Sequence, residues 1–387
     1  MISRNGKALY VPGPSYFDPN VKQYAGWWNI LEQQRLALED AGYEVDTPQP
    51  PDELRADSPS FAKITAYGLA VAHMTQKTEY DVVLGAPSYG YIPMLAHDEA
   101  VRISYGWNNA PPHRNRVLEP EYARFGRTYD HSAIGDLLYN DGLWLSDLVI
   151  CCSPYVSKTH AEVVNERRIG IAPWGVDSER FTPGEKNEDF TILFVGGDPI
   201  RKGFVYLLEA YSQLRHQGIK ANLWAVGFKA QTKPDPDGFV RYFGMVPHEQ
   251  MPAIYRQCHV LVCPTIEDGI ACCVQEAMAS GVVPITTEET AEVFSHPMFL
   301  PGSEPGGFEV PYQDSQAIWR VLDMLYWNGY PRWGKGRGLL AEKAVVSRQI
   351  AEHQTWARFR ERFAELVQAA VTMTPTESGM LRRLLNA

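Results

Sequence analysis

Long apolar runs are missing from this chain of 387 residues, since none approaches the roughly twenty apolar residues that a membrane-spanning helix needs. The first residues, MISRNGKALYVPG, hold one apolar run that is too short for the core of a signal peptide. We therefore expect no transmembrane segment and no export, and the cytoplasm is the expected location. The last residues, MLRRLLNA, can form an amphipathic tail or a frayed end, which leaves a weak peripheral membrane contact open.

An excess of basic charge is also missing. The chain has 36 Lys and Arg against 46 Asp and Glu, which gives a formal net charge of −10. A nucleic-acid-binding domain is usually basic, so this balance argues against a nucleic-acid partner. One local group of basic side chains could form a patch, although a solvated loop rich in arginine is an equally good interpretation; it contains His113, Arg114, Arg116, Arg124 and Arg127.

Cysteine is scarce and spaced unlike a metal or disulfide framework. No two cysteines form a CxxC pair, and four of the six occur as two adjacent pairs. Zinc sites and disulfide scaffolds use wider and more regular spacings. The sequence therefore predicts no metal site, and we expect the cysteines to be reduced and to pack as small apolar side chains. They are Cys151, Cys152, Cys258, Cys263, Cys272 and Cys273.

Apolar strand-like runs alternate with helical periodicities in two successive series. The first contains KALYVPG, YDVVLGAPS, VRISYGW and SDLVICCS, and the second contains FTILFVGG, ANLWAVGF, VRYFGMV, HVLVCPT and VVPITT. Uninterrupted apolar strands with helices between them predict parallel sheets covered on both faces. The expected fold class is α/β, with doubly wound Rossmann-like domains over 1–183 and 184–352 and a terminal helix within 353–387. Such domains bind ligands at the carboxyl ends of their strands, which places the expected site in a cleft between them.

The segment FVGGDPIRKG joins a predicted strand to a predicted helix. Gly196 and Gly197 allow the backbone to approach a ligand closely, and Arg201 and Lys202 add two cations near the start of the helix. This combination is typical of a phosphate or diphosphate clamp, and the alternative is an ordinary turn with two solvated basic residues. The segment is not a P-loop, and no GxGxxG follows the first strand, which disfavours a dinucleotide-dependent dehydrogenase.

The segment CPTIEDGIACCVQEAMASG follows another predicted strand and carries two separated acids. Asp268 is placed in the loop and Glu276 about one turn into the next helix, where a carboxylate can accept the hydroxyl groups of a sugar. The amides from Gly269 to Cys273 lie in the first helical turn, where N–H groups have no intrahelical acceptor. The alternative is a capped helix, with Asp268 as the cap and Glu276 on a solvated face.

These motifs together resemble those of the retaining GT-B glycosyltransferases of family 4, over almost the whole chain and best in its C-terminal half. GIAPWGVDSERFTP resembles the interdomain IPNGVDxxxFxP of that family, and ILFVGGDPIRKG resembles its FVGGDFxRKG variant. CPTIEDGIACCVQEAMASGVVPITT resembles PSxxEGFGLVxLEAMAxGxPVVxT, with Asp268 at the first acid of the Glu-x7-Glu motif and Glu276 at the second.

The resemblance implies a GT-B fold and a role for each matched residue. Arg201 and Lys202 would bind the donor diphosphate without a metal ion, Asp268 would contact the transferred sugar, and Glu276 would hold the ribose. The terminal helix would cross back onto the N-terminal domain. Backbone groups near YFGMV would contact the base. The remaining implied substrate-binding residues are Gly196, Gly197, Gly244, Gly269, Ile270, Ala271, Cys272, Trp107 and Asn108.

The chain also departs from that family at several positions. Trp107, Asn108 and Asn109 stand where the family often has a histidine, with His113 and His131 as nearby alternatives. EETAE replaces the usual Gly-Gly after PITT. The expected function is transfer of a hexose-type sugar from a UDP- or GDP-sugar to a hydroxyl of a glycan, a lipid-linked acceptor or a small molecule. The alternative is a catalytically degenerate GT-B protein that only binds a nucleotide sugar. GT-B epimerases acting on sugar nucleotides lack this pair of acids.

Overall fold

The computed structural model describes residues 6–54, 61–130, 133–228, 239–299, 304–329 and 338–373. These residues form two compact units. The first comprises the described residues within 1–116, 129–174 and 356–387, and the second comprises those within 117–128 and 175–355. The predicted division at 183/184 lies a few residues beyond Trp174, along the same connecting segment.

The first unit is built on a six-stranded parallel sheet in the order β2-β1-β3-β4-β5-β6. Its four central strands are almost wholly buried because helices cover both faces, which explains their uninterrupted apolar character. The strands are β1 (Gly6–Val11), β2 (Tyr43–Asp46), β3 (Val82–Gly85), β4 (Val101–Gly106), β5 (Leu148–Cys151) and β6 (Ile169–Ile171).

The helices of this part of the chain are α1 (Pro19–Tyr24), α2 (Trp28–Asp40), α3 (Phe61–Thr75), α4 (Pro87–Ala96), α5 (Pro111–Arg124), α6 (Ala133–Leu145) and α7 (Pro154–His160). The last described helix, which we label α14 (Trp356–Met373), belongs to the first unit, where it packs against α2 and strands β4 and β5. Phe359 and Phe363 of α14 are buried against Tyr105, with ring centroids 6.4 and 5.8 Å from the tyrosine ring.

The second unit has a six-stranded parallel sheet in the order β12-β11-β10-β7-β8-β9. Its strands are β7 (Phe190–Val195), β8 (Ala221–Val226), β9 (Val240–Gly244), β10 (Val260–Cys263), β11 (Val283–Thr286) and β12 (Phe308–Glu309). Its helices are α8 (Phe204–His216), α9 (Met251–Gln257), α10 (Cys272–Ala279), α11 (Glu288–Ser295), α12 (Ser315–Gly329) and α13 (Leu339–His353).

The strand order of the second sheet reverses at β7. The chain runs from β7 to β8 and β9 on one side and then returns to β10 and β11 on the other. In open parallel sheets, ligands bind where the connections diverge beyond the carboxyl ends of such neighbouring strands. The loops that follow β7 and β10, which carry both motifs of the C-terminal half, therefore begin at adjacent positions on one sheet edge.

Strand β2, formed by the residues YEVD beside β1, is not among the strand-like runs predicted from the sequence. One local interpretation needs correction. The arginine-rich segment is helix α5 and not a loop. Arg114 forms an ion pair with Asp136, and Arg116 forms one with Glu162 at 3.0 Å, so acidic partners compensate these two arginines. None of the helices in the described ranges is long and apolar enough to cross a membrane.

Candidate functional site

The two glycines after β7 have different surroundings. The amide of Gly196 donates to the carbonyl of Val226 at 2.9 Å, and a Cβ atom at Gly196 would lie 2.8 Å from Cγ of Lys202. Gly196 therefore makes room for the stem of Lys202. A Cβ atom at Gly197 would have no neighbour closer than 3.9 Å, so the backbone there is open to a ligand.

Asp198 orders the turn that presents the two basic residues. Its Oδ1 accepts hydrogen bonds from the amides of Ile200 at 3.0 Å and Arg201 at 3.1 Å. The carbonyl of Arg201 accepts from the amide of Ile266 at 2.8 Å, which ties this turn to the loop after β10. Sequence reasoning missed Asp198, although an aspartate before a proline is a common start of such a turn.

Arg201 and Lys202 lie against acidic side chains of the loop after β10. Arg201 Nε donates to Glu267 Oε2 at 2.8 Å, and its Nη2 donates to Asp268 Oδ1 at 3.3 Å. Lys202 Nζ forms an ion pair with Asp268 Oδ2. The side chain of Arg201 is 27% exposed and that of Lys202 is 14% exposed, so a ligand can reach both from solvent.

The charges of these groups stabilise one another. Burial disfavours the charged form of each, but the carboxylates of Glu267 and Asp268 raise the pKa of Arg201, and Asp268 raises the pKa of Lys202. Burial likewise opposes ionisation of Asp268, but Lys202 and Arg201 lower the pKa of its carboxyl below the ordinary value. All three side chains are therefore ionised at neutral pH.

Asp268 is not the cap of α10, so the alternative of a simple capped helix is wrong. The residue at the cap position is Ala271, which provides no side-chain hydrogen bond. Two other hydrogen bonds hold Asp268: its amide donates to the side-chain Oε2 of Glu289 at 2.5 Å, and its Oδ1 accepts from the amide of Gly269 at 3.0 Å. The amides of Cys272 and Cys273 lie in the first turn of α10, at the positive end of the helix.

Glu276 is 7% exposed and does not lie on a solvated face, as the capped-helix alternative required. Its Oε1 lies 2.6 Å from Nε2 of His248, and its Oε2 accepts a hydrogen bond from the hydroxyl of Tyr255 at 2.9 Å. Tyr255 is fully buried. Burial and the neighbouring Glu276 carboxylate raise the pKa of Tyr255 well above the ordinary value, so the phenol stays protonated and donates.

The cysteines in this region lie close to the same groups. All six cysteines of the chain are free thiols, and Sγ of Cys263 lies 4.0 Å from Sγ of Cys273. Burial raises the pKa of the neighbouring Cys272 thiol. Across the ranges that the structure describes, no three His, Cys, Asp or Glu side chains are grouped as a metal ion would require.

The remaining candidates are distributed over both units. Gly244 ends β9, and its carbonyl accepts from the amide of Gly227 at 2.8 Å. In the first unit, Trp107 and Asn108 directly follow β4, and the ring of Trp107 lies 6.2 Å from that of Trp27. His113, on α5, lies 3.4 Å from the hydroxyl of Tyr155.

His131 lies outside the described residues. The backbone of Ile270, like that of Gly269, belongs to the buried loop that leads into α10. The first unit also has an open cavity of about 710 Å³, lined by Tyr16, Phe17, Asp18, Pro19, Lys22, Trp28, Glu32 and Arg35.

This architecture is the GT-B fold of glycosyltransferases. The chain is similar to sucrose-phosphate synthase from Thermosynechococcus elongatus, with a TM-score of 0.67 and 17% identity over 98% of this chain and 99% of that one. The catalytic domain of starch synthase IV from Arabidopsis thaliana, bound to ADP and acarbose, gives a TM-score of 0.67 at 12% identity, over 95% of this chain and 100% of the other. Anabaena Alr3699/HepE in complex with UDP gives 0.61 at 14% identity, over 94% and 100%.

A family model matches part of the C-terminal unit. Residues 189–326 match the model of the family described as Glycosyl transferases group 1. The matched segment contains Arg201, Lys202, Asp268 and Glu276. A search of curated proteins finds no match to the sequence.

Several residues of the site escaped sequence reasoning. Glu267 pairs with Arg201, and Glu289 accepts from the amide of Asp268, although each is 1% exposed and would be costly to bury without such partners. An acid beside Asp268 and acids at the start of α11 are visible in the sequence, but only folding shows where they point. His248 and Tyr255 carry no motif of their own.

Proposed function

We propose that this chain transfers a hexose-type sugar from a nucleotide diphosphate sugar to a hydroxyl group of an acceptor, with retention of the anomeric configuration and without a metal ion. UDP- and GDP-sugars are the expected donors. The observation that carries the proposal is the convergence of Arg201 and Lys202 with the Asp268 loop at the carboxyl edge of one sheet, inside a glycosyltransferase domain.

The two cations supply the electrostatic part of the reaction. When the bond between the anomeric carbon and the diphosphate breaks, negative charge develops on the leaving phosphate oxygen. Arg201 and Lys202 are fixed by ion pairs and need little reorganisation to stabilise that charge. The acceptor oxygen bonds to the anomeric carbon on the same face, and its proton passes to the departing phosphate oxygen.

The two acids, Asp268 and Glu276, bind different parts of the donor. Asp268 accepts hydroxyl groups of the transferred sugar, and the first-turn amides of Cys272 and Cys273 favour phosphate because they lie at a helix N-terminus. Glu276 accepts the two hydroxyls of the ribose. The backbone around Gly244 contacts the base.

The acceptor is assigned to the first unit, where Trp107 and Asn108 lie at the carboxyl end of β4. Its cavity combines the aromatic rings of Tyr16 and Trp28 with charged side chains, a lining that suits a polyhydroxylated molecule. The chemical class of the acceptor, whether glycan, lipid-linked or small molecule, and a cytoplasmic location stay predictions.

The test is turnover across a panel of UDP-, GDP- and ADP-sugars. Release of nucleoside diphosphate is measured with and without candidate acceptors, and the anomeric configuration of the product is read by proton NMR. We expect turnover of one donor class and an α product from an α-linked donor. An inverted product would contradict retention. Binding of a nucleotide sugar without any turnover would favour the catalytically degenerate alternative.

A further inference from the structure

The ribose-binding role proposed for Glu276 requires a carboxylate held in one orientation. A carboxylate has about four acceptor positions, two on each oxygen. His248 lies against Oε1 and Tyr255 donates to Oε2, so among the described residues each oxygen has one partner and keeps one further position. Two positions in the plane of one carboxylate match two vicinal hydroxyl groups.

The partners of Glu276 are themselves held in place. Phe181 is 2% exposed, and its ring packs against both of them, with centroid separations of 5.6 Å to His248 and 5.8 Å to Tyr255. The carbonyl of Phe181 accepts a hydrogen bond from Arg348 Nη1 at 2.7 Å, which fixes the backbone that carries the ring. Phe181, which begins the FTP of the segment GIAPWGVDSERFTP, therefore contacts both partners of Glu276.

We propose that Tyr255 and His248, supported by Phe181, are positioning residues that orient the Glu276 carboxylate to read the 2′- and 3′-hydroxyls of the donor ribose. The inference rests on the proposed function. Recognition of the diol then depends on two side chains that do not themselves bind the nucleotide. Phe181, which belongs to the segment connecting the two sheets, then also supports the ribose site.

Calorimetric titration of nucleoside diphosphates tests the inference. The probes are UDP, GDP and ADP and the 2′,3′-dideoxy form of whichever binds the wild-type chain. The quantity of interest is the ratio of the two affinities, because a general loss of structure weakens both forms and leaves the ratio unchanged. The variants are Tyr255→Phe, His248→Ala and His248→Gln, with Glu276→Gln as the reference that removes the carboxylate.

Tyr211→Phe is the matched control. Tyr211 is also a buried tyrosine of the second unit, and its hydroxyl donates to the carbonyl of Ala221 at 2.8 Å, with no contact to Glu276 among the hydrogen bonds of the described residues. We expect Tyr255→Phe and His248→Ala each to reduce the ribose-to-dideoxyribose ratio by about tenfold or more, as the loss of one hydrogen bond to a charged group predicts. His248→Gln should restore part of the ratio because its amide can donate to Oε1. Tyr211→Phe should leave the ratio at the wild-type value.

The outcomes separate the two levels of the proposal. If Glu276→Gln collapses the ratio but Tyr255→Phe and His248→Ala do not, Glu276 reads the diol without these partners and the inference is wrong. If Glu276→Gln also leaves the ratio unchanged, the ribose role of Glu276 fails and the inference fails with it. If the wild-type chain binds none of the nucleotides, the proposed function itself is contradicted.

Discussion

Gly227 is the position at which one methyl group should disturb the proposed donor site most specifically. It follows β8, has a φ of 110°, and a Cβ atom there would lie 2.5 Å from the carbonyl oxygen of Gly196 and 3.1 Å from the amide nitrogen of Gly197. Its own amide donates to the carbonyl of Gly244. Gly227→Ala therefore pushes on the two segments proposed to approach the nucleotide.

The size of the effect follows from two contributions. A side chain at positive φ costs about 1–2 kcal/mol wherever it is placed. Cβ atoms are essentially never found within 3.0 Å of such neighbours, so the Gly196 carbonyl must retreat by about 0.5 Å, the difference between 3.0 and 2.5 Å. Because the neighbour is backbone and cannot rotate away, this overpacking adds about 1–3 kcal/mol.

Gly218→Ala separates the two contributions. Gly218 also has a positive φ, at 78°, but a Cβ atom there would meet nothing within 4 Å. The Gly218→Ala variant should therefore lose about 1–2 kcal/mol of unfolding free energy and bind nucleoside diphosphate with the wild-type affinity. Gly227→Ala should lose about 2–5 kcal/mol and at least tenfold in nucleotide affinity, since small displacements of a positioned group are costly.

Urea unfolding and calorimetric titration with the same nucleotide measure both quantities for both variants. Equal losses of stability in the two variants would show that the contact between the new Cβ atom and the Gly196 carbonyl does not destabilise the fold. Normal nucleotide affinity in a folded Gly227→Ala variant would show that the turn after β7 does not contact the ligand.

Three further predictions follow from the charges of the molecule. Lys202→Ala should weaken nucleoside diphosphate binding at least tenfold, and it should lower the unfolding free energy by about 3 kcal/mol because Asp268 loses a buried partner. The additional change Asp268→Asn should recover part of that stability. A variant with unchanged affinity and stability would remove Lys202 from the site. Burial lowers the pKa of His160 to about 4, so between about pH 6.5 and 4 the unfolded chain binds a proton that the folded chain does not. The unfolding free energy from urea titrations should therefore fall by about 2 kcal/mol from pH 7 to 5, and by less in His160→Gln. An equal fall in both proteins would show that His160 does not cause this pH dependence. EDTA should leave donor turnover unchanged, and loss of turnover that added Mg²⁺ restores would show that Arg201 and Lys202 do not replace a metal ion.

The sheets were predictable from the sequence because their strands are buried on both faces and so appear as uninterrupted apolar runs. Strands β2 and β12 are not among the predicted runs. Each lies at the edge of its sheet and has four residues or fewer, and only one residue of β2 is buried. Helix α5 was equally hard to foresee, because its charged residues are compensated by acids far away in the sequence.

The candidate site could be proposed from the sequence only where its residues belong to a motif. Arg201, Lys202, Asp268 and Glu276 sit at recognisable spacings after apolar strands. Their ionic partners depend on how the loops after β7 and β10 pack against each other, which no local sequence pattern predicts. The two acids at 267 and 289 and the support of Glu276 by Tyr255 therefore emerged only from the folded chain.

A crystal structure of the chain with a bound nucleoside diphosphate tests the central claim most directly. The account predicts the diphosphate against Arg201 and Lys202, the ribose hydroxyls on the Glu276 carboxylate, and the base beside the backbone of Gly244. A nucleotide bound in the second unit away from Arg201 and Lys202, or with its ribose turned away from Glu276, would contradict it.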